Sequence, residues 1–495
     1  MPGVTVTTAV RTGPVGVGDI VAGQVFMVGE TERGSVTEPV LLRSFSDYTK
    51  YYGDYQTGNL YSHVKTYFSE GGTRCYVQRI LGSGSATGSL TLDDASGSAT
   101  MEITAANPGA WSDNVEVEVA APDVAGFKIN VYHNNVLKVT TRDLTDVTDA
   151  ITVLNASSVS DLIVASDDAT SSADPDALAA TALSGGSDGS APIDSEATAG
   201  LDLLSENLKS GAVCLPGRSG ATIWAALRDH AAENHRVAIC GFAEGDSDSA
   251  VKTAASAYYA HADARYMSFY YPHITVEAPS AAELAEGASP VAGSTLSIDP
   301  TSFAAAARTR AIQDVGGPWR AGAGVISQAR TISGISVDVT PTVANLLDDA
   351  RINALRVIGG SVRVYGARSV SSDEVNWKYI TLQDTINYIV YGVEDRMEEY
   401  LFSTIDGRGS LFGRVRASIK GLLEPIRVSG GLYEAYDSEG ALIDPGYSVT
   451  VDDTLNPNDQ LAAGLVKAQV GVRVSGVADQ IQVVITKSNL TAAVI

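Results

Sequence analysis

Basic residues, cysteine, histidine and long apolar runs are all scarce in this 495-residue chain. Against 58 Asp and Glu stand only 34 Lys and Arg, a formal charge of −24. Proteins that grip nucleic acid neutralise phosphates with clustered Lys and Arg, so this balance excludes a direct nucleic-acid partner. No apolar run approaches the ~20 residues of a membrane span, which excludes direct membrane insertion. The first residues lack the charged segment and apolar stretch of a secretory leader, and none is expected. The three cysteines, Cys75, Cys214 and Cys240, sit in strand-like apolar surroundings. An odd count in that setting reads as buried and reduced, as in a product of the cytoplasm.

The patterns that carry chemistry are missing as well. Gly185-Gly186-Ser187-Asp188-Gly189 fits G-x-S-x-G. A nucleophile elbow needs a strand before it and a helix after it, whereas an Ala-rich stretch precedes this one and Pro192 follows, so it reads as a linker. The histidines at 63, 133, 230, 235, 261 and 273 and the cysteines lack metal-ligand spacing. Gly316-Gly317 and Gly322-Ala323-Gly324 lack the Lys-Ser/Thr ending of a phosphate loop, and Asp167–Asp176 lacks the glycine and final glutamate of a calcium loop. Catalytic, cofactor-binding and metal-binding residues are therefore each read as none. The expectation is a protein without enzymatic activity. The alternatives are a hydrolase on an α/β domain, which would bring Ser, His and Asp to one strand edge, and another structural protein such as a capsid subunit.

What the chain does have is a changing rhythm. Its length implies more than one hydrophobic core. Residues 1–22 form an arm in which Val4, Val6 and Val10 alternate with polar residues, cut off by Gly13, Pro14, Gly16 and Gly18. Residues 23–82 read as an α/β unit, with a buried strand at Gln24–Gly29, a helix after Asn59 with Leu60, Val64, Tyr67 and Phe68 on one face, and a strand at Arg74–Leu81. Between Ser83 and Ser190 there are 3 basic and 16 acidic residues, a net −13, in Ser-, Thr- and Gly-rich sequence with strands at Val115–Val119, Lys128–Tyr132 and Val136–Thr140. This segment, 83–190, reads as a small inserted β-rich domain facing outward.

From 191 to 350, helical patterns (Leu201–Lys209, Thr222–Glu233, Ser249–His261, Ser302–Asp314) alternate with strand runs (Ala212–Leu215, Arg236–Gly241, Arg265–Tyr271). That alternation predicts a middle domain with a mostly parallel sheet. Residues 351–488 read as an α+β closing domain. It holds strand-like Arg356–Val364, helices near Leu382–Leu401 and Ser410–Leu423, and strands near Ser448–Val451, Leu465–Val474 and Gln480–Thr486. A second arm, 489–495, ends on Ala492-Ala493-Val494-Ile495. The fold class expected is multi-domain α/β and α+β with extended terminal arms.

Val25–Glu30, Tyr67-Phe68-Ser69-Glu70-Gly71-Gly72 with Cys75–Arg79, Ala106-Asn107-Pro108-Gly109-Ala110-Trp111 and Leu183–Gly189 follow one another in an order that, with the passages below, spans most of the chain. They resemble passages of the contractile phage tail sheath family. Further on, Val364-Tyr365-Gly366-Ala367-Arg368-Ser369 with Trp377-Lys378-Tyr379, and Asp453–Pro457, are similar to passages of that family's C-terminal domain. Ser403–Gly409 and Val477–Gln480 depart from it. The resemblance implies a subunit that polymerises with itself around an inner tail tube, meets baseplate and tail terminator proteins, and contracts to drive the tube through a host envelope. It further implies a virion tail assembled in the bacterial cytoplasm, no cofactor, a middle domain likened to subtilases in fold alone, and terminal arms exchanged between neighbours.

Two placements follow. The apolar ends, through Val4, Val6, Val10, Val494 and Ile495, are expected to add as strands to a neighbouring copy, since uncharged strand-forming tails otherwise aggregate. The helix near Ser410–Leu423 presents Leu411, Val415, Ile419 and Leu422 to the core. Arg416 and Lys420 are expected on its far side with Arg408 and Arg414 close by, a basic island facing an acidic tube. A merely solvated polar face is the alternative.

Overall fold

The computed structural model describes residues 23–168 and 170–479. The two arms, with Val4, Val6, Val10, Val494 and Ile495, and the strand expected at Gln480–Thr486 lie outside the described residues.

The chain opens with β1 (Val25–Gly29), β2 (Val40–Leu42), α1 (Phe45–Tyr52), α2 (Tyr61–Ser69) and β3 (Cys75–Arg79). At α1, Ser44 and Asp47 form a reciprocal cap, each side chain accepting from the other's backbone N–H. At α2, Asn59 accepts from the Tyr61 N–H, and Gly71 ends the segment at φ +96°.

The insert follows: β4 (Ser89–Asp93), β5 (Ala99–Ala105), β6 (Val115–Ala120), β7 (Lys128–His133), β8 (Val136–Thr140), α3 (Val147–Asn155), β9 (Ile163–Asp167) and β10 (Leu178–Ala182). They make two antiparallel sheets, ordered β10-β6-β7-β8 and β4-β5-β9. Met101, Ile103, Trp111, Val115, Val117, Ile129 and Leu154 close a core separate from the rest of the molecule.

The chain then runs through α4 (Asp194–Asp202), β11 (Gly211–Cys214), α5 (Ala221–Glu233), β12 (Arg236–Cys240), α6 (Asp248–Ser256), β13 (Met267–Tyr271), β14 (Ile274–Glu277) and β15 (Thr295–Ile298). Next come α7 (Thr301–Val315), β16 (Gly334–Ile335), α8 (Pro341–Asp349), β17 (Ile352–Ile358) and β18 (Ser361–Tyr365).

One eight-stranded sheet, ordered β18-β17-β13-β12-β11-β1-β3-β2, binds these segments together. It is parallel from β17 to β3 and antiparallel at both edges. Helices cover both faces, as the near-continuous apolar strands of a parallel sheet require. Helices α4, α5, α6 and α8 pack on one face and α1, α2 and α7 on the other. The sheet takes strands from 23–82, 191–350 and 351–365, so β17 and β18 belong to it although the sequence reading opened the closing domain at 351. The register Phe269↔Ile352 puts β17 directly on β13.

Two elements differ from expectation. Leu201–Lys209 is not a helix. The helix starts earlier, where the Glu196 carboxylate caps the Ile193 N–H at 2.9 Å, and ends at Asp202. Arg356–Val364 is not one strand but a hairpin, turned by Gly359 and Gly360 at φ +61° and +80°, the primed geometry that glycine pairs favour.

The closing unit holds α9 (Ile380–Met397), α10 (Ser410–Val428), the hairpin β19 (Ala435–Tyr436) with β20 (Leu442–Asp444), and a two-stranded sheet of β21 (Tyr447–Thr450) and β22 (Gln469–Val472). Its core gathers Trp319, Ile389, Leu411, Val415, Ile419, Leu422, Leu423 and Ile426.

Candidate assembly surfaces and a buried polar cluster

Helix α10 buries the face its spacing predicted, with Leu411, Val415, Ile419 and Leu422 each no more than 5% exposed. It runs past Leu423 and through Pro425 to Val428, and the Gly430 and Gly431 N–H groups close its end on the Arg427 and Ile426 carbonyls. The four cations named from sequence part company. Arg408, Arg414 and Lys420 are exposed and have no ion-pair partner among the described residues. Arg416 is half-buried, and its guanidinium donates to the Val451 carbonyl at the end of β21. Arg427 is held by Glu424 and Glu434.

Beside this helix, β22 pairs only with β21 among the described residues. Its Val470 and Val472 line an apolar groove whose other wall is Ile386, Ile389, Val390 and Val393 of α9. A further strand along the free edge of β22 would cover this wall, with every second side chain pointing into the groove.

The insert hangs from a paired stalk. Ala86 and Ser187 exchange both backbone hydrogen bonds at 2.9 and 3.0 Å, as do Ser89 and Ser184 at 3.0 and 3.1 Å. The G-x-S-x-G passage is one side of this stalk, where the Gly186 N–H donates to Asp113 at 2.8 Å. Arg79 pins the stalk to the body. Its guanidinium, buried at the end of β3, donates to the carbonyls of Thr31, Glu32 and Gly34 in the body and to Pro108 of the insert at 2.7 Å. Burial pushes it down to about 10, still charged at neutral pH.

At the carboxyl ends of β11 and β12, where α/β proteins place their sites, the fold gathers side chains that sequence spacing did not connect. Asp299, 3% exposed, accepts from Thr301 N–H at 2.8 Å and from the Thr301 hydroxyl with one oxygen, and from Gly217 N–H with the other. His273 Nε2 meets the Phe242 carbonyl at 2.8 Å. Ser302 is fully buried with an unpartnered hydroxyl, and burial lowers the pKa of nearby His63. The acid is thus spent on backbone and Thr301. No hydrogen bond joins a histidine to Ser302 among the described residues, so these side chains do not form a hydrogen-bonded relay here. Among the described residues, no three His, Cys, Asp or Glu side chains cluster as a metal site, and no helix is long and apolar enough to cross a membrane. All three cysteines are buried and unpaired, as read from their surroundings.

No protein-family model and no curated protein matches the chain by sequence. Solved structures do match, over nearly its whole length. The sheath tail protein Lin1278 from Listeria innocua is 14% identical, with 87% of this chain and 89% of that one aligned at a TM-score of 0.62. A chain of the anti-feeding prophage helical sheath in its contracted state is 17% identical, covering 98% and 99%, at 0.54. A chain of the anti-feeding prophage baseplate is 16% identical, covering 99% of each, at 0.55. The fold defines a class: this chain shares the architecture of solved contractile-sheath proteins over 87% or more of its length. The likeness that short motifs suggested is therefore a likeness of the whole fold.

Proposed function

We propose that this protein is the sheath subunit of a contractile tail or a related injection machine. It polymerises with copies of itself around an inner tube, meets baseplate and terminator proteins at its ends, and shortens to drive the tube through an envelope. In a phage, that stroke would deliver the genome, and the subunit would reside in the virion tail after synthesis in the host cytoplasm. The observation that carries this reading is the alignment of 98% of the chain with a subunit of a contracted helical sheath.

Two surfaces fit it. The free edge of β22 and its apolar groove suit the N-terminal arm of a second copy, with Val4, Val6 and Val10 as the alternating side chains. The C-terminal Val494 and Ile495 would join the same exchange. Backbone hydrogen bonds would supply the affinity, and the Gly/Pro-rich hinge behind the arm would absorb movement during contraction. On α10, Arg414 and Lys420, separated by exposed Gly413, Ala417 and Gly421, suit an acidic tube, since exposed charge pairs are weak, screened and easily released. Arg416 is committed to Val451 and stands behind this face.

Light scattering of three forms tests both surfaces. Removing residues 1–20 should leave a folded monomer that no longer polymerises. Arg414→Glu with Lys420→Glu should weaken polymerisation templated by tube while sparing polymerisation without it. An arm-less chain that polymerises like the full chain would sink the strand exchange, and equal effects with and without tube would sink the tube contact.

A further inference from the structure

The two ends of α10 carry complementary surfaces that cannot meet within one chain. Before the helix, Leu401 and Phe402 are displayed to solvent, Phe402 fully exposed on a backbone at φ +61°, where bulky residues are seldom found. Arg408, exposed and unpaired among the described residues, shares that loop. Beyond the helix lies an open recess of about 550 Å³ walled by Val428, Leu432, Tyr433 and Tyr436. Val428, Tyr433 and Tyr436 are each more than half exposed. The recess is organised by hydrogen bonds: Arg427 is fixed between Glu424 and Glu434, and the Tyr436 hydroxyl donates to Glu434. The hairpin around it, 433–446, carries Glu434, Asp437, Glu439 and Asp444; Arg427 holds Glu434 and Arg473 holds Asp444, so Asp437 and Glu439 are the carboxylates without an ion-pair partner among the described residues. One end is an apolar knob with a cation beside it. The other is an aromatic recess under an acidic hairpin.

The 19 residues of α10 hold these ends roughly 28 Å apart. A knob and recess on opposite ends of a rigid element join copies head to tail, and such a heterologous contact closes a ring or winds a helix. Isolated exposed apolar residues are ordinary, but an apolar knob beside a cation and an open aromatic recess beside carboxylates on the same molecule are not. We infer that Phe402 of one copy seats in the Val428–Tyr433–Tyr436 recess of the next, with Arg408 against the acidic hairpin, linking neighbours in series. This rests on the self-assembling reading above, and the occupant is a second copy of this chain.

A cross-link tests it with full-length protein. Phe402→Cys and Tyr436→Cys are made in separate chains and treated with a short bis-maleimide. The three native cysteines are buried and poorly reactive. Covalent dimers should form in the mixture and not in either variant alone, and the double variant should give a ladder of higher oligomers. Phe402→Ala, at a position that contributes nothing to the core, should keep the monomer's melting temperature and raise the critical concentration for polymerisation on the order of tenfold, the effect of exposing a phenyl ring. An unchanged critical concentration, no dimer in the mixture, or equal dimers from Phe402→Cys alone would each overturn the contact. If the unmodified chain does not polymerise, the sheath reading falls, while the cross-link still decides whether this contact exists.

Discussion

Two buried arginines hold this fold at single points, and most of their hydrogen bonds go to backbone carbonyls. Arg79 joins body and insert through four backbone oxygens. Arg236, also buried, stacks 3.8 Å over Phe26, donates to the Leu204 and Ser205 carbonyls, and places Nη1 2.7 Å from His230 Nε2. Burial, with this guanidinium beside it, holds His230 at about 3, and burial holds His133 at about 4. Both stay neutral in the folded chain across the neutral and mildly acid range. Above pH 6.5 the unfolded chain is neutral at these positions too, so they contribute no pH dependence there. Below 6.5 the unfolded chain takes up protons that the folded chain refuses, and stability falls by about 1.4 kcal/mol per pH unit for each histidine. Under conditions that keep the chain monomeric, its unfolding midpoint should drop between pH 7.5 and 5.5. His63, also buried with a lowered pKa, shares that drop, so His230→Gln should remove about a third of it. A variant that keeps the full pH dependence would show that His230 is charged in the fold.

Periodicity made the longer elements legible, and partners did not show in it. Leu411, Val415, Ile419 and Leu422 give the buried face of α10 directly because 3.6-residue spacing is all that a helix face requires. The destination of Arg416 is invisible in the same string, since it depends on where β21 returns 35 residues later. Helix α1 escapes notice because Phe45–Tyr52 spans barely two turns, too few to display a period, although Phe45, Tyr48 and Tyr52 share one face. The stalk is similar: Ser- and Gly-rich ends read as loose linkers, yet they pair with each other across 101 residues.

That pairing yields a prediction. Because Ser190 donates to Ser83 at 3.0 Å, the chain leaves the body and returns at one place. Replacing 86–187 with a short Gly/Ser linker should leave a folded body that still polymerises. Its net charge would fall, and its assemblies should associate more with one another, since 13 of the 24 net negative charges lie in 83–190. A deletion that fails to fold, or folds without polymerising, would make the insert part of the framework.

At the scale of the molecule, the class was legible and the architecture was not. Alternating helix and strand announced a parallel sheet, and the acidic block announced a unit with a core of its own. That β1 sits between β3 and β11, pairing Val25 with both Cys75 and Ala212, is beyond any local pattern, because a five-residue apolar run fits many neighbours equally well. The polar cluster around Asp299 was hidden for the same reason: His63, Gly217 and His273 come near it only once the sheet has formed. The central claim is that this chain assembles with itself into a hollow sheath, and negative-stain microscopy of the purified full-length protein tests it most directly. Long striated cylinders with an open lumen are the predicted result; discrete, uniform particles at every concentration would contradict it.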